Sequence, residues 1–212
     1  MKIPVLRIYT IGYLLFLYCP ILILPIFAFN DSTAVAFPLQ GFTTEWFQNV
    51  FHDAVLGKAL KNSLLVAAST AVISTFLGTL AARANTRYQF KAAGPLMGLI
   101  MLPMVLPEII MAMALLVVLL SIGIPLSLFT IILGHVLVCT PFAVAILTSA
   151  FQSLDKSLEE AAYDLGEGPF STFRLIILPL VMPGIISAML ICFTISLDEF
   201  IISNFLGSGE PL

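Results

Sequence analysis

Three carboxylic acids stand inside otherwise apolar stretches: Glu108 in Leu106-Pro107-Glu108-Ile109-Ile110, and the neighbours Asp198 and Glu199 in Ser196-Leu197-Asp198-Glu199-Phe200. At the centre of a membrane helix each would cost roughly 2.5–3.5 kcal/mol on the insertion scale. No Lys or Arg stands at similar depth to pair with them. Water in a cavity, protonation, a partner subunit or a passing cation must then compensate. A helical rise of about 1.5 Å per residue puts Glu108 roughly 20 Å below Ser121, Asp198 roughly 12 Å below Leu206 and His135 roughly 13 Å below Leu126. Together they would occupy the middle and outer half of a membrane, which suits the wall of a cation pathway. Pro103 and Pro107 flank that level, where freed carbonyls could also face a cavity. Adjacent helical residues point about 100° apart, so one of Asp198 and Glu199 is expected to face the path. The competing reading is acids near an interface or protonated structural groups. For His135 it is a hydrogen-bonded core histidine.

A second group of polar residues lies together in sequence. Asp155, Lys156, Glu159, Glu160, Asp164, Glu167 and Arg174 interrupt two very apolar segments. A stretch this polar cannot lie in lipid and must project into water or another protein. Ser157 followed by Glu160 has the spacing of a capping box. Gly166 suits a helix stop, because glycine enters the left-handed conformation cheaply. Pro169 suits the first turn of a second helix, and Pro179 predicts a break before the next apolar run. Ala161 and Ala162 are small enough to let another surface approach the backbone. By local physics alone this is also what an ordinary solvated loop helix looks like.

The elements that must position these residues are membrane spans. The chain has 212 residues, of which 60% are hydrophobic and 10% charged, and a mean hydropathy of +1.09. Soluble domains carry about 25% charged residues, so lipid must cover part of this surface. The net charge of −3 comes without a basic cluster, which argues against nucleic acid as a partner. Cys19, Cys139 and Cys192 lie in apolar runs at unrelated spacings. They read as buried small hydrophobes rather than a disulfide framework or metal site. A single all-α transmembrane domain over residues 1–212 is expected, with spans at about 8–29, 59–82, 93–120, 126–151 and 180–206. The first run is too long for a signal-peptide core and lacks small residues at its end. Residues 59–82 are rich in Ala, Ser, Thr and Gly, which predicts a helix packed inside protein. The third span is interrupted by Pro95, Pro103 and Pro107.

Residues 31–57 form an outer segment. Phe42, Trp46, Phe47, Val50 and Phe51 have helical spacing. An aromatic face at the membrane surface is the plainer reading, and a docking face for an external partner, with Glu45 and Trp46, is the functional one. Placing the chain start, the 83–91 turn and the 152–179 loop on one side gathers Lys2, Arg7, Arg83, Arg87, Lys91, Lys156 and Arg174 there, against Lys58 and Lys61. The positive-inside rule then makes that side, with the N-terminus, cytoplasmic.

The full spacing of the polar loop is more specific than its local physics. Glu160-Ala161-Ala162, then Gly166, Ile176, Leu178 and Pro179 resemble the "EAA loop" of ABC-importer permeases, with Asp164 inside it. The acidic segments, Gly41 to Trp46, the Arg83 to Lys91 turn and His135 to Thr140 narrow the resemblance to the spermidine/putrescine permeases, in particular the second of their two permease subunits, over nearly the whole chain. The resemblance implies the type I importer permease architecture in a bacterial inner membrane. It implies a second permease subunit, two ATPase subunits that grip the coupling loop and carry ATP and magnesium, and an external, periplasmic binding protein that delivers polyamine. Glu108, Asp198, Glu199 and His135 would then line the substrate path. No cofactor is expected on this chain, and no phosphate-binding loop of the G-x-x-x-x-G-K-[ST] type occurs in it. The family usually has at least six spans, and a sixth would follow where this sequence stops.

Three other readings compete. One is the same machine for another solute, such as ferric iron or an amino-acid-like compound. Another is an ATP-independent channel or carrier. The last, an intramembrane aspartyl protease, lacks its Gly-x-Gly-Asp setting, and Tyr163-Asp164 lies in the polar loop.

Overall fold

The computed structural model describes residues 3–88 and 90–209. Lys2, used above for orientation, and position 89 of the basic turn lie outside the described residues. The chain forms two compact units, Met1–Gly57 and Lys58–Leu212.

In the first unit, α1 (Ile3–Ala28) is apolar apart from Arg7 and Thr10 near its start and contains Pro20 and Pro25; Cys19 on it is exposed, not buried as expected. Its membrane-length window, from Pro4 to Ala28, has none of its residues buried, as expected of a helix whose apolar surface meets lipid or another subunit. After α1 the chain turns at Asn30, which forms an isolated antiparallel bridge with Phe42. Phe29 stacks on Phe42 at 5.2 Å and leans on Phe47 at 5.1 Å. These rings hold the amphipathic helix α2 (Glu45–His52) against the end of α1.

The helix α3 (Ala54–Arg87) is 34 residues long and has no internal proline. It starts in the first unit and runs on into the second. Its small-residue face, Ala67, Thr70, Ala71, Ser74, Thr75, Gly78 and Ala82, is buried. Gly78 lies tight against the neighbouring helix at Ala143: a Cβ there would lie 2.7 Å from Ala143 Cβ and 3.1 Å from the Ala143 backbone carbon. Small residues are needed at such a crossing.

The third apolar run is not straight. It consists of α4 (Ala93–Met101), a 3₁₀ turn (Leu102–Met104) and α5 (Glu108–Ser121). The two arms meet at 106°. Pro103 and Pro107 remove two donors within five residues; Leu102 keeps helical angles and the chain tightens into the 3₁₀ turn, and the ladder ends at Pro107, which is extended at ψ 132° before α5 begins.

At the centre lies α6 (Leu128–Gln152), whose start carries a capping box from Ser127 and Thr130. It packs against α9 (Leu178–Asp198) and α10 (Phe200–Leu206). One core joins Cys139, Ala143, Leu147 and Phe151 to Ile177, Val181, Ala188 and Cys192. A second joins Val66, Ala112, Leu119, Ile131 and Val138 to Ile202 and Leu206. Among the described residues, four helices are long and apolar enough to cross a membrane, and the bent pair, taken as one span, makes five.

Candidate functional site: a coupling helix and an acidic cleft

The polar loop folds into α7 (Ser157–Asp164) and α8 (Pro169–Thr172). The expected capping box at Ser157 does not form. Ser157 is already the first helical residue, Lys156 is the cap, and no side chain caps it. The cause is Asp155, whose Oδ1 accepts the Ser157 N–H at 2.9 Å and so takes over the local donor. The expected stop does form. Gly166 has φ +86°, donates to Tyr163 O at 2.9 Å, and Glu167 donates to Ala162 O at 3.0 Å. These are the two bonds of a Schellman motif. The break expected at Pro179 is absent. Phe173–Ile177 form a π turn that runs straight into α9 with Pro179 in its first turn, and the widened ladder absorbs the missing donor.

On α7, Glu160, Ala161 and Asp164 are exposed, whereas Ala162 is buried. Of the downstream residues of the motif, Ile176 and Leu178 are half-buried and Pro179 is exposed. The helix is fixed by a contact that sequence reading missed. Glu159 is buried at 8% exposure. Its Oε1 accepts from Arg83 Nη1 at 2.7 Å and Arg87 Nε at 2.6 Å, and its Oε2 accepts from Arg83 Nη2 at 2.6 Å. Hydrogen bonds from Arg83 hold the Glu159 carboxyl below its ordinary value, against the burial that would raise it. Arg83 also lies over the Phe173 ring, 5.9 Å from its centroid, and Arg87 Nη2 reaches Leu154 O at 3.4 Å. A cavity of about 250 Å³ beside this cluster is lined by Lys156, Glu160 and Tyr163 together with the two arginines.

The intramembrane polar residues meet at the other break. Asp198 ends α9, and Glu199 stands between α9 and α10 with φ −78° and ψ 96°. The pair is therefore not two successive residues of one helix, and depth below Leu206 cannot be counted along a single axis. Glu199 Oε1 accepts the Ile202 N–H at 3.0 Å and caps α10. Buried His135 bridges the same break: Nδ1 lies 2.7 Å from Ser196 Oγ and Nε2 lies 2.9 Å from Ser203 Oγ. Ser203 donates its hydroxyl to Glu199 O at 2.9 Å. Its oxygen therefore accepts from Nε2–H, which leaves Nδ1 to accept from Ser196. Both ring nitrogens are spent on serines, so His135 clasps α6, α9 and α10 together.

A cleft of about 130 Å³ is lined by Ser63, Val66, His135, Asp198, Glu199 and Ser203. Asp198 is exposed and Glu199 half-buried. Glu108 is exposed in the first turn of α5 just after Pro107 and does not line this cleft; α5 packs against α10, the helix that Glu199 caps. The arrangement can attract and hold a cation between separate helices, with water or a further subunit completing its shell. In the first unit, Trp46 donates its indole N–H to Asn30 O at 2.9 Å, and Glu45 starts α2 on the surface. The Trp46 polar edge is thus committed to the local fold.

The family model for the inner membrane component of binding-protein-dependent transport systems matches residues 74–212. The chain is 36% identical over 190 residues to the spermidine/putrescine transport system permease protein PotC of Escherichia coli K12, covering 90% of this chain and 72% of that protein. It is 38% identical over 197 residues to the putrescine transport system permease protein PotI of the same strain, covering 90% and 70%. PotC of Haemophilus influenzae is 35% identical over 190 residues, covering 90% and 74%. The crystal structure of a bacterial ABC transporter involved in import of the acidic polysaccharide alginate superposes with a TM-score of 0.76 at 18% identity. That match covers 98% of this chain and 75% of the other, and it shows the shared permease fold. On these matches, the chain belongs to the family of binding-protein-dependent transport system inner membrane components.

Proposed function

We infer that this chain is a permease subunit of an ATP-driven importer of polyamines, forming half of the channel across a bacterial inner membrane. The observation that carries the substrate is its identity of 35–38%, over 90% of its length, with permeases named for spermidine and putrescine. The cleft at Asp198 and Glu199, with Glu108 opening the helix that packs on α10, supports the same reading chemically. A cation of two or three charges needs acids in place of its hydration shell, and several modest sites so that it can leave again.

In this reading ATP and magnesium are bound by two separate ATPase subunits, whose clefts take the exposed face of α7 through Glu160, Ala161 and Asp164. Gly166 ends the gripped helix, and Ile176, Leu178 and Pro179 join it to α9. A second permease subunit closes the acidic cleft from the other side, and an external binding protein delivers the polyamine at the outer end, near Glu45 and Trp46. The N-terminus and α7 share the cytoplasmic side.

The test is uptake of labelled putrescine and spermidine by the full complex in proteoliposomes. Uptake should require ATP and the binding protein, and it should be competed by unlabelled diamine but not by a neutral diol of the same length. Competition by the diol, or no uptake of either polyamine, would overturn the substrate assignment.

A further inference from the structure

Two routes lead from the coupling helix to the acidic cleft within the second unit. The direct one follows the chain through α8, the π turn and α9. It is irregular: it contains the π turn at Phe173–Ile177, an internal Pro183, and the break at Glu199. Each of these is a place where a helix bends. The other route is not continuous in sequence. It crosses from α7 to the end of α3 through the Arg83–Glu159–Arg87 contact, 76 residues apart for Arg83 and Glu159. It then runs up α3, which has no internal proline, to Ser63 and Val66 in the wall of the cleft. From Arg83 to Ser63 is a helical rise of about 30 Å.

We propose that Arg83, Glu159 and Arg87 are positioning residues that make α3 the push-rod of this permease. They lock the coupling helix to the lower end of α3, so that movement of α7 reaches the cleft as a displacement of Ser63 and Val66 relative to Asp198 and Glu199.

Three features fit that role and exceed what a surface ion pair supplies. The contact uses both carboxylate oxygens and three N–H donors at 2.6–2.7 Å. A bidentate guanidinium fixes orientation as well as distance, which a lysine cannot do. The side chains are 10–15% exposed, so water and salt screen the contact less than an open pair. Arg83 lies over Phe173 while Arg87 reaches Leu154, so the same two arginines touch the segments before and after α7. Glu160 and Ala161, the exposed face that the ATPase would grip, are left unencumbered by the clamp.

This inference rests on the importer reading, and its test separates the two. The full complex carrying E159Q would be compared with the unchanged complex for uptake of labelled putrescine and for ATP hydrolysis in the same proteoliposomes. Assembly would be checked by co-purification of all subunits. The unchanged complex must import polyamine in an ATP-dependent way; if it does not, the importer reading itself falls. Where it does, E159Q should lower the amount imported per ATP by roughly fivefold or more, the lower end of typical coupling between sites. Exchanging the charges of all three residues, with R83E, R87E and E159R together so that no like pair is left in contact, should restore a substantial part of it. An unchanged ratio in E159Q would overturn the push-rod, as would a three-residue exchange that assembles and restores nothing, since Glu159 would then serve the fold alone. Should E159Q fail to assemble, R83K, which keeps the charge and loses the fork, takes its place, and full coupling there would equally overturn it.

Discussion

Gly166 offers the cleanest perturbation of the coupling helix. Its φ of +86° is open to glycine and strained for other residues. A Cβ added there would meet nothing within 4 Å. Substitution therefore changes backbone preference and leaves packing untouched. Forcing an L-residue into the left-handed region costs roughly 1–2 kcal/mol, less for asparagine, whose short polar side chain tolerates it. G166A should accordingly weaken the two bonds that close α7, from Gly166 to Tyr163 O and from Glu167 to Ala162 O. A loss of about 1 kcal/mol corresponds to roughly fivefold more opening. Amide exchange at position 166 and at Glu167, followed in the detergent-solubilised complex, should rise by that factor in G166A, by less in G166N, and by more in G166V. Exchange in G166A equal to that of the unchanged protein, or greater in G166N than in G166A, would refute the argument that conformation at this one residue sets the helix end.

Three further outcomes follow from the same geometry. E108Q with D198N should reduce polyamine uptake by roughly tenfold or more, one order per 1.4 kcal/mol of lost attraction, in transport assays on assembled complex; unchanged uptake would remove the acids from the path. Because the folded Glu159 carboxyl is held below its ordinary value of 4.5, the clamp's contribution is complete above that value and is lost as pH falls below it. A spin label at exposed Leu165 should therefore gain mobility only on acidification through that lower range, and E159Q should abolish the transition. At Gly134 a Cβ would sit 2.5 Å from Ile202 Cγ2 and 2.7 Å from Leu206 Cδ1, so G134V should cost roughly 1–3 kcal/mol of overpacking, read as a lowered thermal midpoint; an unchanged midpoint would contradict the close packing of α6 on α10.

The helices were readable because lipid-length apolar runs leave few alternatives, and the prolines at 103 and 107 marked the place where α4 and α5 part, though not the 106° between them. Gly166 was readable for a similar reason, since a helix stop of this kind needs a positive φ. Misreadings arose where two local rules competed. Ser157 fits a cap, but Asp155 stands two residues earlier and takes the donor. Pro179 fits a break, but a π turn just before it accommodates the lost hydrogen bond. The Arg83–Glu159 contact had no local signal at all: its partners are 76 positions apart, and only the sidedness of the basic residues hinted that they share one end of the molecule. Likewise Ser196 and Ser203 were anonymous until the break at Glu199 turned both toward His135.

The central claim is that the exposed face of α7 lies in the cytoplasm, where an ATPase subunit can grip it. The direct measurement is labelling of A161C by a membrane-impermeant thiol reagent, with exposed Cys19 replaced and Cys139 and Cys192 left buried. The account predicts labelling in inside-out vesicles stripped of the ATPase, protection when the ATPase is added back, and none in sealed right-side-out vesicles. Labelling of A161C from the outside would contradict it.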